Sequence, residues 1–240
     1  MRQMVRENAA LRRLYYRMQM LRAKAQSDEP QIIERLAANA PRTFVEFGFH
    51  PVEFNCASLA RKGDWQGLLI DGNARQVSDS IALLPARLKI VQRFLTLDNL
   101  DFIKFAFHKI GVLSIDVDGN DYWFLKSLIE TRPALISVEY NSTFGLEPIS
   151  VPYDPTFDRH ETHPSGWYHG ASLTALCRLC AANGYGLAAV SEGGANAFFT
   201  ESGKLDPAAA WRPNTFREKF SGVGQAAQWQ AVKSLPFVGA

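Results

Sequence analysis

The sequence predicts an α/β protein with one mostly parallel sheet of seven strands, an antiparallel last strand, helices on both faces and an added amino-terminal helix. Three observations carry this expectation. Short apolar runs alternate with helix-period segments through most of the chain, which is the pattern of right-handed βαβ units. The last two apolar runs are joined around Glu192-Gly193-Gly194, too short a link for a crossover helix, so these strands must be antiparallel neighbours. The 240 residues, 47% hydrophobic and 21% charged, suffice for one large domain with a packed core.

Residues 1–26 contain no Gly or Pro and repeat apolar residues at Met4, Leu11, Met18 and Ala25 and at Leu14 and Leu21, a heptad broken at Glu7. This stretch is expected to be a helix whose apolar face packs on the domain, pairs with a second subunit in a homo-oligomer, or lies on an anionic membrane surface. Ser27-Asp28-Glu29-Pro30 ends it and supplies a cap and a helix-start proline for a second helix over 31–39. The core then begins with a strand at 43–47, ended by Gly48, and a helix over 55–62. A second strand at 67–71 precedes a helix over 74–83, and a third is expected at 88–91. The fourth strand, 111–116, leads to a helix at 122–130 and a fifth strand at 134–139. A long irregular segment with four prolines, 141–168, is followed by a helix at 171–183 and strands at 186–190 and 195–200.

Three parts result: a helical extension over 1–40, a core domain over 41–203, and a carboxy-terminal extension over 204–240. Trp211, Phe216 and Trp229 mark the last part as cover for a sheet edge or an interface. Five parallel strands, a sixth after a helix and a hairpin-returned seventh match the strand plan of the Rossmann-like methyltransferases.

Composition narrows the function. No apolar run approaches the ~18 residues that span a bilayer. The amino terminus lacks the apolar stretch and cleavage site of a signal peptide, so a cytoplasmic location is expected. Cys56, Cys177 and Cys180 are too few for a disulfide framework, and Cys177 and Cys180 share one helix face, where packing explains their spacing better than zinc or redox chemistry. Residues 1–25 hold seven Lys/Arg against one acid, a net +6, which leaves −4 for the rest of a chain of net +2. The body is therefore mildly acidic, and no nucleic-acid partner is expected.

In open α/β sheets ligands bind outside the carboxyl ends of the strands. Here those ends read Glu46-Phe47-Gly48, Asp71-Gly72-Asn73, Asp116-Val117-Asp118 and Glu139-Tyr140-Asn141, each with an acid. Asp71 lies 25 residues after Glu46, near the spacing at which an acid takes ribose hydroxyls, although a helix cap would account for it too. Glu46 suits a cationic amino group and would repel a phosphate, which favours S-adenosylmethionine over a dinucleotide. Asp116, Asp118, Asn120 and Asp121 crowd oxygen ligands around Gly119, with Glu139 on the next strand. Asp116, Asp118 and Glu139 are thus candidate ligands of a divalent cation such as Mg2+; the competing account has Asn120 or Asp121 capping the next helix.

Val45-Glu46-Phe47-Gly48, Leu69-Ile70-Asp71-Gly72-Asn73 and Ser114-Ile115-Asp116-Val117-Asp118-Gly119-Asn120-Asp121 resemble the FkbM-like branch of the S-adenosylmethionine-dependent methyltransferases. The later segments Gly170-Ala171-Ser172-Leu173 and Gly194-Ala195-Asn196-Ala197-Phe198-Phe199 resemble it as well. The resemblance spans residues 42–200 and implies methyl transfer to a hydroxyl of a sugar, polyketide or related small-molecule acceptor, with Glu46, Gly48, Asp71 and Asp116 lining the cofactor. His50 and Asn73 are expected beside them. One departure is clear: where the family has a glycine-rich first loop, Gly48-Phe49-His50-Pro51-Val52-Glu53 has one glycine.

A hydroxyl acceptor must lose its proton, to a base or through a bound cation. His169 is the expected base, with Asp118 and Glu139 as the other candidate catalytic groups. His160 and His163 cluster in sequence with Asp154, Asp158 and Glu161 in the long segment, where Tyr153, Trp167 and Tyr168 supply faces on which sugars stack. The alternative to an enzyme is a silent methyltransferase fold that serves as a scaffold through its amino-terminal helix.

Overall fold

A computed structural model of the chain describes residues 8–22 and 28–240. Seven strands form one sheet: β1 (Thr43–Phe47), β2 (Gln66–Asp71), β3 (Leu88–Gln92), β4 (Val112–Ile115), β5 (Leu135–Glu139), β7 (Gly186–Val190) and β8 (Asn196–Thr200), while β6 (Ile149–Ser150) lies outside it. Their spatial order is β3-β2-β1-β4-β5-β8-β7. The pairings β3–β2, β2–β1, β1–β4 and β4–β5 are parallel, and β8 runs antiparallel to both β5 and β7. This is the predicted plan. The chain starts at the middle of the sheet, builds outward to β3, then returns to β4, so the connections diverge where β1 and β4 lie side by side.

The central strands read as continuous apolar runs because helices cover both faces. Phe44, Val45 and Phe47 on β1, Leu69 and Ile70 on β2, and Val112, Leu113 and Ile115 on β4 are all fully buried. Truncating one of the phenylalanines to alanine costs about 3–5 kcal/mol. Helices Ala74–Leu83 and Leu173–Ala182 start on the side chains of Asn73 and Ser172, which accept N–H groups of the first turn. Cys180 is buried in the core and Cys177 packs against it; burial raises both thiols, as expected of packing residues.

Helix Ala9–Arg22 attaches in an unexpected way. Leu11, Leu14 and Met18, the described heptad residues whose side chains are placed, are exposed. The helix is held through Arg12, whose guanidinium meets the buried Asp79 on helix Ala74–Leu83, and through Arg13, which reaches the same carboxylate at 2.9 Å. Two guanidiniums keep that carboxyl below its usual range. Met4, Glu7 and Ala25 of the heptad lie outside the described residues.

The 204–240 region packs onto the irregular 141–168 segment. A two-residue strand, β9 (Val238–Gly239), pairs antiparallel with β6. Phe144, Val151, Tyr168 and Val232 form a small separate core beneath Trp229 and Phe237. Trp211 packs against the main core.

Candidate active site

The carboxyl ends of β1, β2 and β4 open onto one cleft of ≈ 2240 Å³, lined by Glu46, Gly48, His50, Asp71, Asn73, Asp116 and Asp118. Glu46 and Asp71 therefore share a rim. Glu139, at the end of β5, lines an adjoining pocket of ≈ 460 Å³ that shares Arg159, Asn214 and Phe216 with the cleft.

On β1, Glu46 is buried and its two oxygens accept the N–H groups of Asn55 at 2.6 Å and Cys56 at 2.8 Å, at the start of helix Ala57–Arg61. Burial lifts its carboxyl to about 7. Where an open carboxylate was expected, the chain has one that fastens the first loop. Gly48 is the one glycine this loop needs: its φ is +76°, and an added Cβ would lie 1.4 Å from the Asp116 carbonyl oxygen. Beyond it the loop closes as a tight turn, with His50 and Glu53 exchanging both backbone hydrogen bonds at 3.1 Å. The His50 ring meets Tyr16 edge to face at 5.2 Å, and burial lowers its basicity. The amino-terminal helix thereby walls the cleft, and Tyr15 and Gln19 line it too.

At the end of β2, the Asp71 carboxylate accepts the Asn73 N–H at 2.6 Å, while Asn73 caps the following helix. Partial burial raises the Asp71 carboxyl. The cap role considered for Asp71 thus falls to Asn73. After β3, Arg93, Phe94 and Leu95 complete this side, and Phe94 is 61% exposed beside Gly72, an apolar face left open to the cleft.

The loop after β4 divides its acids among tasks. Asp121 is buried, accepts the N–H groups of Val117 and Gly119 at 2.8 and 2.9 Å, and has a carboxyl lifted to about 6 by burial. Asn120 is tied to the Asp154 carbonyl at 2.8 Å. Neither is free to coordinate a ligand. Asp118 adopts φ +57°, a conformation uncommon for a residue with a side chain, and its carboxylate pairs with Arg159. Asp116 carries a carboxyl pushed far up, first by burial and then by Glu139, Asp118, Asp121 and Glu46.

His169 is fully buried, and its Nε2 lies 2.9 Å from an Arg217 guanidinium nitrogen. Arginine only donates, so Nε2 is the accepting nitrogen and Nδ1 carries the proton. Burial and the nearby guanidiniums hold the ring neutral. Nδ1 faces Glu139 Oε2 at 3.8 Å. His169 is therefore not the open base expected from sequence, because its basic lone pair is committed to Arg217. Burial lifts the Glu139 carboxyl to about 8, with Oε2 buried beside His169 and Oε1 3.9 Å from Arg217. Arg217 itself is held by Asn141 Oδ1 at 2.6 Å and Thr143 Oγ1 at 3.3 Å.

Ligand atoms of Asp118, Glu139 and His169 lie within 4.8 Å of one another, the one such group among the described residues. Asp116, expected to complete a metal set, is not in it. These residues fit a cation poorly as arranged. Arg159 already holds Asp118, and the proton on His169 Nδ1 occupies the lone pair that coordination would need.

Of the other histidines of the long segment, His163 serves its own turn, with Nδ1 2.7 Å from Ser165 Oγ, whereas His160, on the one-turn helix Arg159–Thr162 that Asp158 caps, lines the main cleft. Of the three aromatics expected to stack on a sugar, Trp167 lines the smaller pocket, whereas Tyr153 takes the Leu97 N–H and Tyr168 is buried on Pro236. Arg159, Phe216 and Arg217 were not predicted. No motif marks them, since they come from the irregular segment and the carboxy-terminal extension.

No family model matches the sequence, and no curated protein matches it. Solved structures do match. Cofactor-bound Rv0187 from MTB is 13% identical with a TM-score of 0.52, over 82% of this chain and 90% of that one. The fold is that of the Rossmann-like methyltransferases. An O-methyltransferase from Bacillus cereus in complex with SAH is 15% identical with a TM-score of 0.50, over 74% of this chain and 80% of that one. A proposed O-methyltransferase from Klebsiella pneumoniae is 14% identical, also at 0.50, over 80% and 87%. At these identities the likeness concerns the methyltransferase fold. No helix among the described residues is long and apolar enough to cross a membrane.

Proposed function

We propose that this chain is an S-adenosylmethionine-dependent O-methyltransferase acting on a hydroxyl of a sugar or glycan-like acceptor. One observation carries the reading: on a sheet of methyltransferase fold, the acids that end β1, β2 and β4 line a single cleft, and the acid that ends β5 lines the pocket beside it. The resemblance of these strand ends to the FkbM-like branch supports it.

On this reading Asp71 would accept two ribose hydroxyls beside the adenine-facing Phe94, and Gly48, His50 and Asp116, which line the same cleft, would hold the amino acid end of the cofactor. Bound S-adenosylmethionine supplies an electrophilic methyl group on a sulfonium. The chain's own contribution is to align the acceptor, exclude water and receive the hydroxyl proton. Glu139 is the base: its side chain lines the pocket, and His169 Nδ1–H, oriented by Arg217, faces its Oε2 and steadies the carboxylate once formed. Asp118 fixes Arg159 at the pocket mouth. Because the acid cluster is served by guanidiniums, no step is routed through Mg2+ or another divalent cation.

Calorimetry with S-adenosylmethionine tests the reading. Binding at micromolar strength that is lost in Asp71→Ala supports it; retained affinity in the variant refutes the ribose assignment.

A second reading, a scaffold working through the amino-terminal helix, is favoured by the exposure of Leu11, Leu14 and Met18. Stable self-association that disappears on replacing these three by Glu, in a protein that binds no S-adenosylmethionine, favours the scaffold. With cofactor binding intact, the same result marks a homo-oligomeric enzyme. Attachment to anionic vesicles instead indicates peripheral membrane contact.

A further inference from the structure

Two residues that line the ≈ 460 Å³ pocket beside the cleft, Glu139 and Arg159, each carry a buried polar atom, and the two atoms have opposite needs. Glu139 Oε2 and Arg159 Nε both lack a hydrogen-bond partner. Such atoms are uncommon in native proteins, and each costs stability until something satisfies it. One is an acceptor on the residue assigned as base. The other belongs to the Arg159 guanidinium, which holds Asp118 through one nitrogen and has further donors for a carboxylate or phosphate. Arg217, on the same pocket, hydrogen-bonds the neutral Asn141, Thr143 and His169, and Glu139 Oε1 lies 3.9 Å from its guanidinium.

The remaining lining combines the polar Ser165, Asn214 and Ser221 with three aromatic side chains. Phe216 and Phe220 are exposed at 57% and 75% with ring centroids 4.4 Å apart, and Trp167 lines the same pocket. Two adjacent exposed phenylalanines are costly on a surface with no partner, and aromatic faces are what a ring-shaped ligand stacks upon.

We propose that this pocket is the acceptor subsite, and that its ligand is a hydroxylated ring carrying an acidic group. The hydroxyl is received by Glu139 and the acid by Arg159 and Arg217, against the Phe216–Phe220 wall. This rests on the methyltransferase reading above. In the reaction the acceptor oxygen forms a bond to the methyl carbon as the carbon–sulfur bond breaks. The hydroxyl proton passes to Glu139, and the products are a methyl ether and the neutral thioether of the cofactor.

The test uses the whole chain saturated with S-adenosylhomocysteine and two probes that differ only in the acid, 4-nitrophenyl β-D-glucuronide and 4-nitrophenyl β-D-glucoside. Calorimetry is expected to show the glucuronide binding at least about tenfold more tightly, the scale of a charge-assisted contact. Arg159→Ala should erase the difference, and Phe220→Ala, at an exposed position, should weaken both probes by similar factors. Equal binding, tighter binding of the glucoside, binding of neither probe, or a preference that survives Arg159→Ala overturns the proposal. Failure to bind S-adenosylhomocysteine at all overturns the underlying methyltransferase reading instead, so the two failures are distinguishable.

Discussion

If Glu139 is the base, turnover must follow its ionisation. A carboxyl lifted to about 8 is about 10% ionised at pH 7 and about 90% at pH 9, so kcat should rise roughly tenfold across that interval and then level off. The sign follows from the mechanism: only the deprotonated form accepts the acceptor's proton, so activity falls as pH drops through about 8. Glu139→Gln keeps the shape but cannot accept a proton; it should lower kcat about 10²–10⁴-fold and flatten the profile. The assay is initial-rate transfer of labelled methyl from S-adenosylmethionine, at saturating cofactor, between pH 6 and 9.5. A flat profile in the unmodified protein, or a sloped one that survives Glu139→Gln, refutes the assignment.

Further outcomes are expected. Chelation with EDTA should leave the rate unchanged, since Arg159 and the Nδ1 proton of His169 occupy what a cation would need; a loss restored by Mg2+ would reverse that conclusion. Gly48→Ala should destabilise the protein by at least about 2 kcal/mol in denaturant titrations, from the positive φ and the collision with the Asp116 carbonyl; an unchanged midpoint would contradict the packing. Asp79→Ala should cost about 3–5 kcal/mol, because a buried guanidinium on the amino-terminal helix loses its carboxylate, and a shift of less than about 1 kcal/mol would show that the ion pair does not anchor that helix.

The sheet was legible because its strands are buried on both faces. Runs such as Phe44-Val45 and Leu68-Leu69-Ile70 have no polar alternative, and the brief link at Glu192-Gly193-Gly194 admits only an antiparallel return. The shared cleft was legible for the same topological reason, since strand-end acids at Glu46, Asp71 and Asp116 must meet at one rim. What periodicity could not show was where side chains turn. Glu46 turns onto the Asn55 and Cys56 amides, Asp121 onto its own loop, and Leu11, Leu14 and Met18 of the first helix outward, because Arg12 found a better partner in Asp79. The acceptor side was hidden more deeply. Arg217 lies 48 positions from His169, in a stretch without motif or repeat, and only the three-dimensional packing brings them to 2.9 Å.

The small β6–β9 ribbon has a consequence for how such a molecule can change over time. It clips the end of the chain to the segment that carries Trp167 and Arg159, and so holds in place a wall built from residues that the sheet itself does not need. Substitutions there would reshape the pocket wall while the strand ends that line the main cleft stay intact. If the proposed activity holds, acceptor preference is open to change through residues 204–240 and the 141–168 segment they cover, separately from the sheet.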